Sequence, residues 1–398
     1  MKLLFIQHGS RIYYSKENEV YVDACFNNEI WKRYASYCDE LHVVLREVNE
    51  RFDEEYLSNR LNKIDRSILK LKTIPDIYKP KKNYLNFKIR KQIDKTIEEE
   101  VRNVDKVILR SAGDFYTDIA LKYCKKYNKP YLIEAVGFPF DSFWYHSFVG
   151  KFIALPIDIK FKKAVRDASY VLYVTNEALQ KKYPSKGKML GCSDVEVNLS
   201  EQDIEEIITK RMQKQSGPKI KLGTAAFLNV KWKGQRDVFK ALYELKENGI
   251  SNFEYELIGS GDSSNLLNEI KKYGLEEQIK IVGALPHSEV FNWLDNIDIY
   301  VQPSYQEGLC RAIVEAMSRG CAVICTDVGG NYELIDRKYI YKKGNVNQLV
   351  DILSKIKKED IIEQSNINIR KASSYDQKQL NIKRDRFYME FTEKNEEN

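Results

Sequence analysis

The chain has 398 residues, 43% apolar and 31% charged, with 64 Lys+Arg against 58 Asp+Glu for a formal charge of +6. That length exceeds one ordinary hydrophobic core and fits two domains of about 200 residues, and the composition excludes intrinsic disorder. No apolar run approaches the roughly 20 residues of a spanning helix. The seven cysteines include no C-x-x-C pair, which argues against a disulfide framework or a zinc site. These features predict a large cytosolic protein with reduced, structural thiols.

Residues 1–7 are too short for a secretory signal and read as a first strand, closed by His8-Gly9-Ser10-Arg11. Short apolar runs at 41–45, 107–109, 131–133 and 170–174, separated by longer helical patterns, predict one doubly wound sheet. Residues 1–200 hold 35 basic and 27 acidic side chains, so the positive excess sits in this half. It is concentrated at 60–91, where eleven basic residues accompany two acidic ones among Leu61, Ile64, Leu69, Ile74, Tyr84, Leu85 and Phe87. Two readings are open for this stretch. One is a solvated helix face with an ordered loop around Pro75 and Pro80; the other is a surface lying against an anionic leaflet at the inner membrane face. Nucleic acid is a poorer partner, because no helix-turn-helix, zinc finger or aromatic RNA-binding signature accompanies the charge. The aromatic run at 138–152 suits stacking on a bound ligand, a place in an interdomain cleft, or core packing.

Residues 201–217 form a charged, helical stretch running into Ser216-Gly-Pro, which reads as the interdomain connection. From Lys219 the alternation restarts, with strands at 222–228, 255–258, 279–282, 299–301 and 323–325. After Gln348 the pattern is helical, and the polar tail 393–398 reads as frayed. One junction in this half is the most informative part of the chain. The apolar run ending at Val301 is followed by Gln302-Pro303-Ser304, a polar loop, and an amphipathic run from Arg311 to Arg319, so a helix starts near 308–310. The first turn of a helix leaves backbone N–H groups without partners at the positive end of the dipole, and an anion is stabilised there without any basic side chain. Glu307 and Glu315 stand eight positions apart across the junction. Eight helical residues rise about 12 Å, a reach comparable to a nucleotide sugar, and each carboxylate accepts hydrogen bonds from hydroxyls.

This segment resembles the E-x7-E motif of the retaining glycosyltransferases of family 4. The similarity extends upstream through Glu256-Leu-Ile-Gly-Ser-Gly-Asp262, Val282-Gly-Ala-Leu-Pro-His-Ser-Glu289 and Asp295-Asn-Ile-Asp-Ile-Tyr-Val-Gln-Pro-Ser304, in the family's order, and covers most of 219–335. It implies an α/β GT-B fold, two Rossmann-like doubly wound domains facing a central cleft. Residues 1–216 would form the acceptor-side domain, with a helix at 376–398 packing back on it, and 217–375 would bind a nucleotide sugar. The resemblance further implies that Glu307 faces the donor sugar, that Glu315 binds the ribose, and that the Gly308 and Leu309 backbone, with Ser304 in the same set, receives the diphosphate. Lys233, just before Gly234, matches the lysine that neutralises the diphosphate. A cation there favours the transition state, because the leaving group gains charge as the glycosidic bond breaks. Glu307 and Lys233 are therefore the candidate catalytic residues. Gly259 and Gly261 follow a strand and would let backbone approach the nucleotide. Gly9 falls where GT-B enzymes place a glycine-rich turn near the donor phosphates and the acceptor.

Two positions depart from the family pattern. Its usual arginine, about five residues before the lysine, falls on Leu228 or Asn229, with Lys231 as the nearest replacement. Its first-domain histidine is absent from Ile133-Glu-Ala-Val-Gly-Phe-Pro-Phe140, where Glu134, the Val136-Gly137 backbone, or His146 downstream stand as alternatives. No D-x-D pair is present for a divalent cation, so the expected chemistry uses no metal or cofactor beyond the nucleoside-diphosphate sugar itself. The resemblance implies hexose transfer with retention to a polysaccharide or lipid-linked saccharide. A nucleotide-sugar 2-epimerase and a catalytically silent binding scaffold are other readings that the same architecture admits.

Overall fold

The computed structural model describes residues 1–23, 26–195, 197–214 and 219–393. Cys25, the Ser216-Gly-Pro segment with the boundary expected there, and the tail after Glu393 lie outside the described residues.

Two sheets organise the chain. In the first, parallel strands lie in the order Lys70–Pro75, Glu40–Phe52, Lys2–Ser15, Lys106–Arg110, Tyr131–Ala135, Tyr170–Tyr173 and Lys188–Gly191. Val20–Val22 and Asn62–Lys63 extend it as an antiparallel ribbon against the far end of Lys2–Ser15. The second sheet is parallel throughout, in the order Ile279–Gly283, Phe253–Ile258, Ile220–Ala225, Ile299–Gln302, Ala322–Thr326 and Ile340–Tyr341. Its central strands are covered by helices on both faces, which is why Ala322–Thr326 is buried along its whole length and reads as an unbroken run. Each sheet starts in its interior and grows outward in both directions. The reversal falls beside Lys2–Ser15 in one sheet and beside Ile220–Ala225 in the other, and at such reversals open α/β sheets bind ligands beyond the carboxyl ends of their strands.

Three sequence expectations change here. The first strand does not close at residue 7. Its register against Glu40–Phe52 shifts between Ile6 and Arg11, so His8-Gly9-Ser10 is an irregularity within a 14-residue strand rather than a turn after it. The basic stretch 60–91 is not a solvated helix face: Lys70–Pro75 pairs as an edge strand, and Ile64, Leu69, Ile74 and Ile77 are buried, leaving Tyr84, Leu85 and Phe87 exposed.

The third change concerns Glu201–Gln213, which belongs to the second domain and not to the end of the first. Ser200 and Asp203 form its capping box, and Ile204, Ile207 and Ile208 pack on Ile369. Arg211 donates to the carbonyls of Arg319, Ile297 and Leu294 at 2.5–3.0 Å. The charged sequence of this helix reflects its outer face; the isoleucine edge is what docks it. Val197 pairs with Asp376 where the chain crosses between domains a second time. From there Gln377–Thr392 lies on the first domain, with Phe387 and Phe391 against Tyr170 and Arg384 donating to the Ser193 carbonyl at 2.7 Å. No helix among the described residues is long and apolar enough to cross a membrane.

Candidate active site

Two loops meet at the switch point of the second sheet. One follows Ile220–Ala225 and carries the short turn Lys231–Lys233; the other follows Ile299–Gln302 and leads to the helix Arg311–Ser318. Gly234 ends the turn at φ 73°, and a Cβ there would stand 1.9 Å from the Pro303 carbonyl oxygen. Only glycine allows that approach. The contact brings Lys233 Nζ to 2.7 Å from Glu307 Oε1. Gln302 Nε2 donates to the same carboxylate at 3.1 Å and to Ser304 Oγ at 2.7 Å, and the Tyr300 hydroxyl fixes the amide by donating to its Oε1 at 2.8 Å. Burial works against the Lys233 charge, but the Glu307 charge and hydrogen bond outweigh it, and the lysine pKa lies above its ordinary value. Burial first, and then the Glu307 charge, push the neighbouring Cys310 thiol well up, so it stays protonated. Cys310 is the residue preceding the helix and makes no side-chain cap of hydrogen-bond geometry, and a helix start of this kind presents N–H groups to an acceptor.

The first domain supplies the facing wall. A cavity of about 280 Å³ is bordered by Lys233, Glu307 and Gly308 on one side and by His8, Asp114 and Phe143 on the other. A second cavity of about 820 Å³ is bordered by Leu309, Arg311 and Glu315, with Arg33, Arg110 and Asp194 opposite. Val136 borders both. A Cβ at Gly308 would lie 2.4 Å from the Val136 carbonyl oxygen, so the domains touch at the helix start that separates the two spaces.

Not every residue singled out in the sequence reaches these cavities. Glu307, Lys233 and Gly308 border the smaller, and Leu309 and Glu315 the larger. Gly259 and Gly261 border neither; they lie against Ala226 and Asn229, in the loop that leads to Lys231–Lys233. Lys231 is exposed and borders neither. Ser304 is wholly buried beneath Glu307, a support for the loop rather than a ligand contact. Glu134 is also buried. Its carboxylate accepts from the Tyr34 hydroxyl at 2.7 Å, from the Tyr388 hydroxyl, and from Arg110 at 2.5 Å, so it does not take the place of the family's first-domain histidine. Arg110 continues the network to Asp194 at 2.6 Å.

Gly9 is exposed, and its carbonyl accepts from Arg46 at 3.2 Å; its neighbour His8 is the residue that faces the smaller cavity. His8 Nδ1 stands 3.1 Å from the buried Asp114 carboxylate. Burial disfavours the imidazolium, but Asp114 outweighs it, and the His8 pKa is raised above the ordinary histidine value while Asp114 is held below its own. The sequence signal for His8 was its place at the end of the apolar run that opens the first strand.

Comparison with known proteins bears on the family and the fold. The family described as glycosyl transferases, group 1, matches residues 207–374. Protein CapJ of Staphylococcus aureus is 33% identical over 98% of this chain and 96% of its own length. The amylovoran biosynthesis glycosyltransferase AmsK of Erwinia amylovora is 29% identical over 46% of this chain and 48% of its own. Among solved structures, Anabaena HepE in complex with UDP-glucose superimposes with a TM-score of 0.61 at 17% identity, covering 96% of this chain and 97% of that one. Sucrose-phosphate synthase from Thermosynechococcus elongatus does so with a TM-score of 0.64 at 13% identity, covering 98% of both. The fold is GT-B, and the chain belongs to the group 1 glycosyl transferases.

Two expectations follow from the site. Glu134→Ala strands two buried tyrosine hydroxyls and leaves Arg110 with Asp194 alone, and should lower stability by about 1–3 kcal/mol in urea unfolding. His8 has its pKa raised by folding, so its pairing with Asp114 contributes fully below about pH 6.5, the ordinary histidine value, and that contribution is lost as pH rises through the folded value. Thermal melts should therefore show the stability gap between the protein and His8→Gln shrinking as pH is raised above 6.5.

Proposed function

We propose that this glycosyltransferase moves a hexose from a nucleoside-diphosphate sugar, with retention of anomeric configuration and without a divalent cation, to a polysaccharide or lipid-linked saccharide. The observation that carries the reading is the Lys233–Glu307 pair, 2.7 Å apart beside a helix start and facing a first-domain wall. In this reading the diphosphate sits at the Gly308 and Leu309 backbone, the sugar lies in the smaller cavity, and the nucleoside extends toward Glu315 in the larger. The arriving phosphate gives Lys233 a second anion, so the lysine can turn from Glu307 toward the leaving group without leaving a buried charge unpaired. Glu307, released in part, accepts hydrogen bonds from sugar hydroxyls. The acceptor hydroxyl attacks on the face that the nucleotide leaves, with His8, oriented by Asp114, on that side of the cavity.

The names of similar proteins support the donor and acceptor classes: HepE holds UDP-glucose, and AmsK is a glycosyltransferase of amylovoran biosynthesis. Glu307→Ala and Lys233→Ala should each reduce transfer from a UDP-, GDP- or ADP-sugar by at least about 10²-fold in protein that still unfolds in one cooperative transition, at a lower melting temperature because each leaves the other buried charge without its partner. Wild-type activity should persist in EDTA. Near-full transfer by both variants would refute the assignment, and loss of activity in EDTA would refute metal independence. His8→Ala should slow transfer at least about 10-fold while the UDP dissociation constant stays constant, which isothermal titration resolves.

A further inference from the structure

The helix Pro139–His146 forms part of the smaller cavity's wall through Ser142 and Phe143. With the next helix, Phe148–Asp167, it makes a tight hairpin, since a Cβ at Gly150 would fall 1.9 Å from the Phe143 carbonyl oxygen. The outer side of this hairpin is uncovered. Phe148 is 76% exposed, Phe152 70% and Val149 65%, with Leu155 and Ile159 also in solvent. Across residues 142–157 the only charged side chain is Lys151. Monomeric soluble proteins rarely leave such a contiguous set of large apolar side chains in water. Exposed lysines follow directly, at Lys160, Lys162 and Lys163.

A second exposed apolar group, Tyr84, Leu85 and Phe87, lies across the helix Phe115–Lys126 from the hairpin. The Arg90 guanidinium covers the Tyr84 ring at 5.4 Å and the Phe115 ring at 4.8 Å. On the other flank, Lys160 pairs with Asp118 at 2.6 Å, and Gly113 abuts the Ile157 carbonyl. Both groups therefore flank the start of one helix. Residues 77–93 carry six basic side chains and no acidic one.

We infer that this rim of the first domain docks on an anionic lipid leaflet, the hairpin's apolar side chains entering the headgroup boundary while the flanking lysines meet the headgroups. The pattern is that of an element lying in an interface, with large apolar side chains beside basic ones, and Phe148–Asp167 is not apolar enough to span. A second copy of the chain is the poorer occupant, because a self-complementary contact would set basic surface against basic surface. Docked this way, the rim would hold the cavity mouth at the leaflet, so a lipid-linked saccharide could present its head at the cavity with its tail still in the bilayer. That consequence rests on the proposed function; the docking does not.

The test is sedimentation of the full chain with vesicles, without any nucleotide sugar. Binding to phosphatidylcholine vesicles containing phosphatidylglycerol should exceed binding to phosphatidylcholine alone at least 10-fold and weaken with salt. The variant Phe148→Ser/Phe152→Ser/Leu155→Ser should lose at least 10-fold of it, with unchanged melting temperature and UDP affinity. Should that variant not fold, Phe152→Trp serves instead, its emission shifting to the blue on anionic vesicles. Equal binding to both vesicle types, no binding, full binding by the folded triple variant, or an unshifted tryptophan would each overturn the inference. So would a concentration-dependent dimer abolished by the triple substitution, which would assign the surface to a second copy. Failure here leaves the transfer chemistry untouched, and a failure of transfer leaves the vesicle result standing.

Discussion

The ion pair between Lys233 and Glu307 joins the two loops that rise on either side of the second sheet's switch point. Each charge is largely withdrawn from water and would be costly alone. Together they are tolerable, and the close packing of Gly234 on Pro303 and the Tyr300–Gln302 hydrogen bonds hold them in one geometry. A buried pair of this kind is weak evidence for stability. Its better-founded meaning is preorganisation: a cation and an acid are held in fixed places beside the start of a helix.

The rest of the cleft is built around that corner. Gly308 touches the Val136 backbone of the opposite domain, and the contacts flanking it are polar or aromatic. Glu333 accepts from the backbone N–H groups of Asn176, Glu177 and Ala178 at 2.6–3.1 Å, a second-domain acid seated on first-domain backbone. Lys343 stands 3.4 Å from Asp141, and the rings of Tyr145 and Tyr305 meet edge to face. The returning helix Gln377–Thr392 ties the first sheet from behind through Tyr388 and Glu134. The cleft is thus bounded by side chains from both domains, and the chemistry on its two faces differs: the Lys233–Glu307 pair and a helix start on the second-domain side, and the His8–Asp114 pair with the aromatic hairpin on the other.

The parts of this site that were legible in the sequence are those whose meaning is local. Glu307, Gly308, Leu309 and Glu315 sit where a buried strand gives way to a helix, and helix starts present amide groups wherever they occur. Lys233 was legible for a similar reason, lying in a loop after a strand and before a glycine. Glu134 and Ser304 also stand at or after strand ends, yet both are turned into the protein. Glu134 is claimed by Tyr34, 100 positions away, and by Tyr388, 254 positions away, and no local pattern announces partners at such separations. The same limit hid His8, whose partner Asp114 belongs to the neighbouring strand's loop. It also hid the docking of Glu201–Gln213, where the charged face outnumbers the isoleucines that decide its position.

By itself the sequence determined the alternation of apolar strands and amphipathic helices, the division into two sheets, and the strand-to-helix junction that suits an anion. These depend on residues a few positions apart, where covalent neighbourhood fixes periodicity and dipole direction. Only the tertiary structure decided which polar side chains face the cleft, which are spent in the interior, and where apolar surface stays in water. Those outcomes depend on which distant segments arrive opposite one another. A carboxylate at a strand end is a ligand contact or a buried support according to whether hydroxyls and guanidinium groups come to meet it.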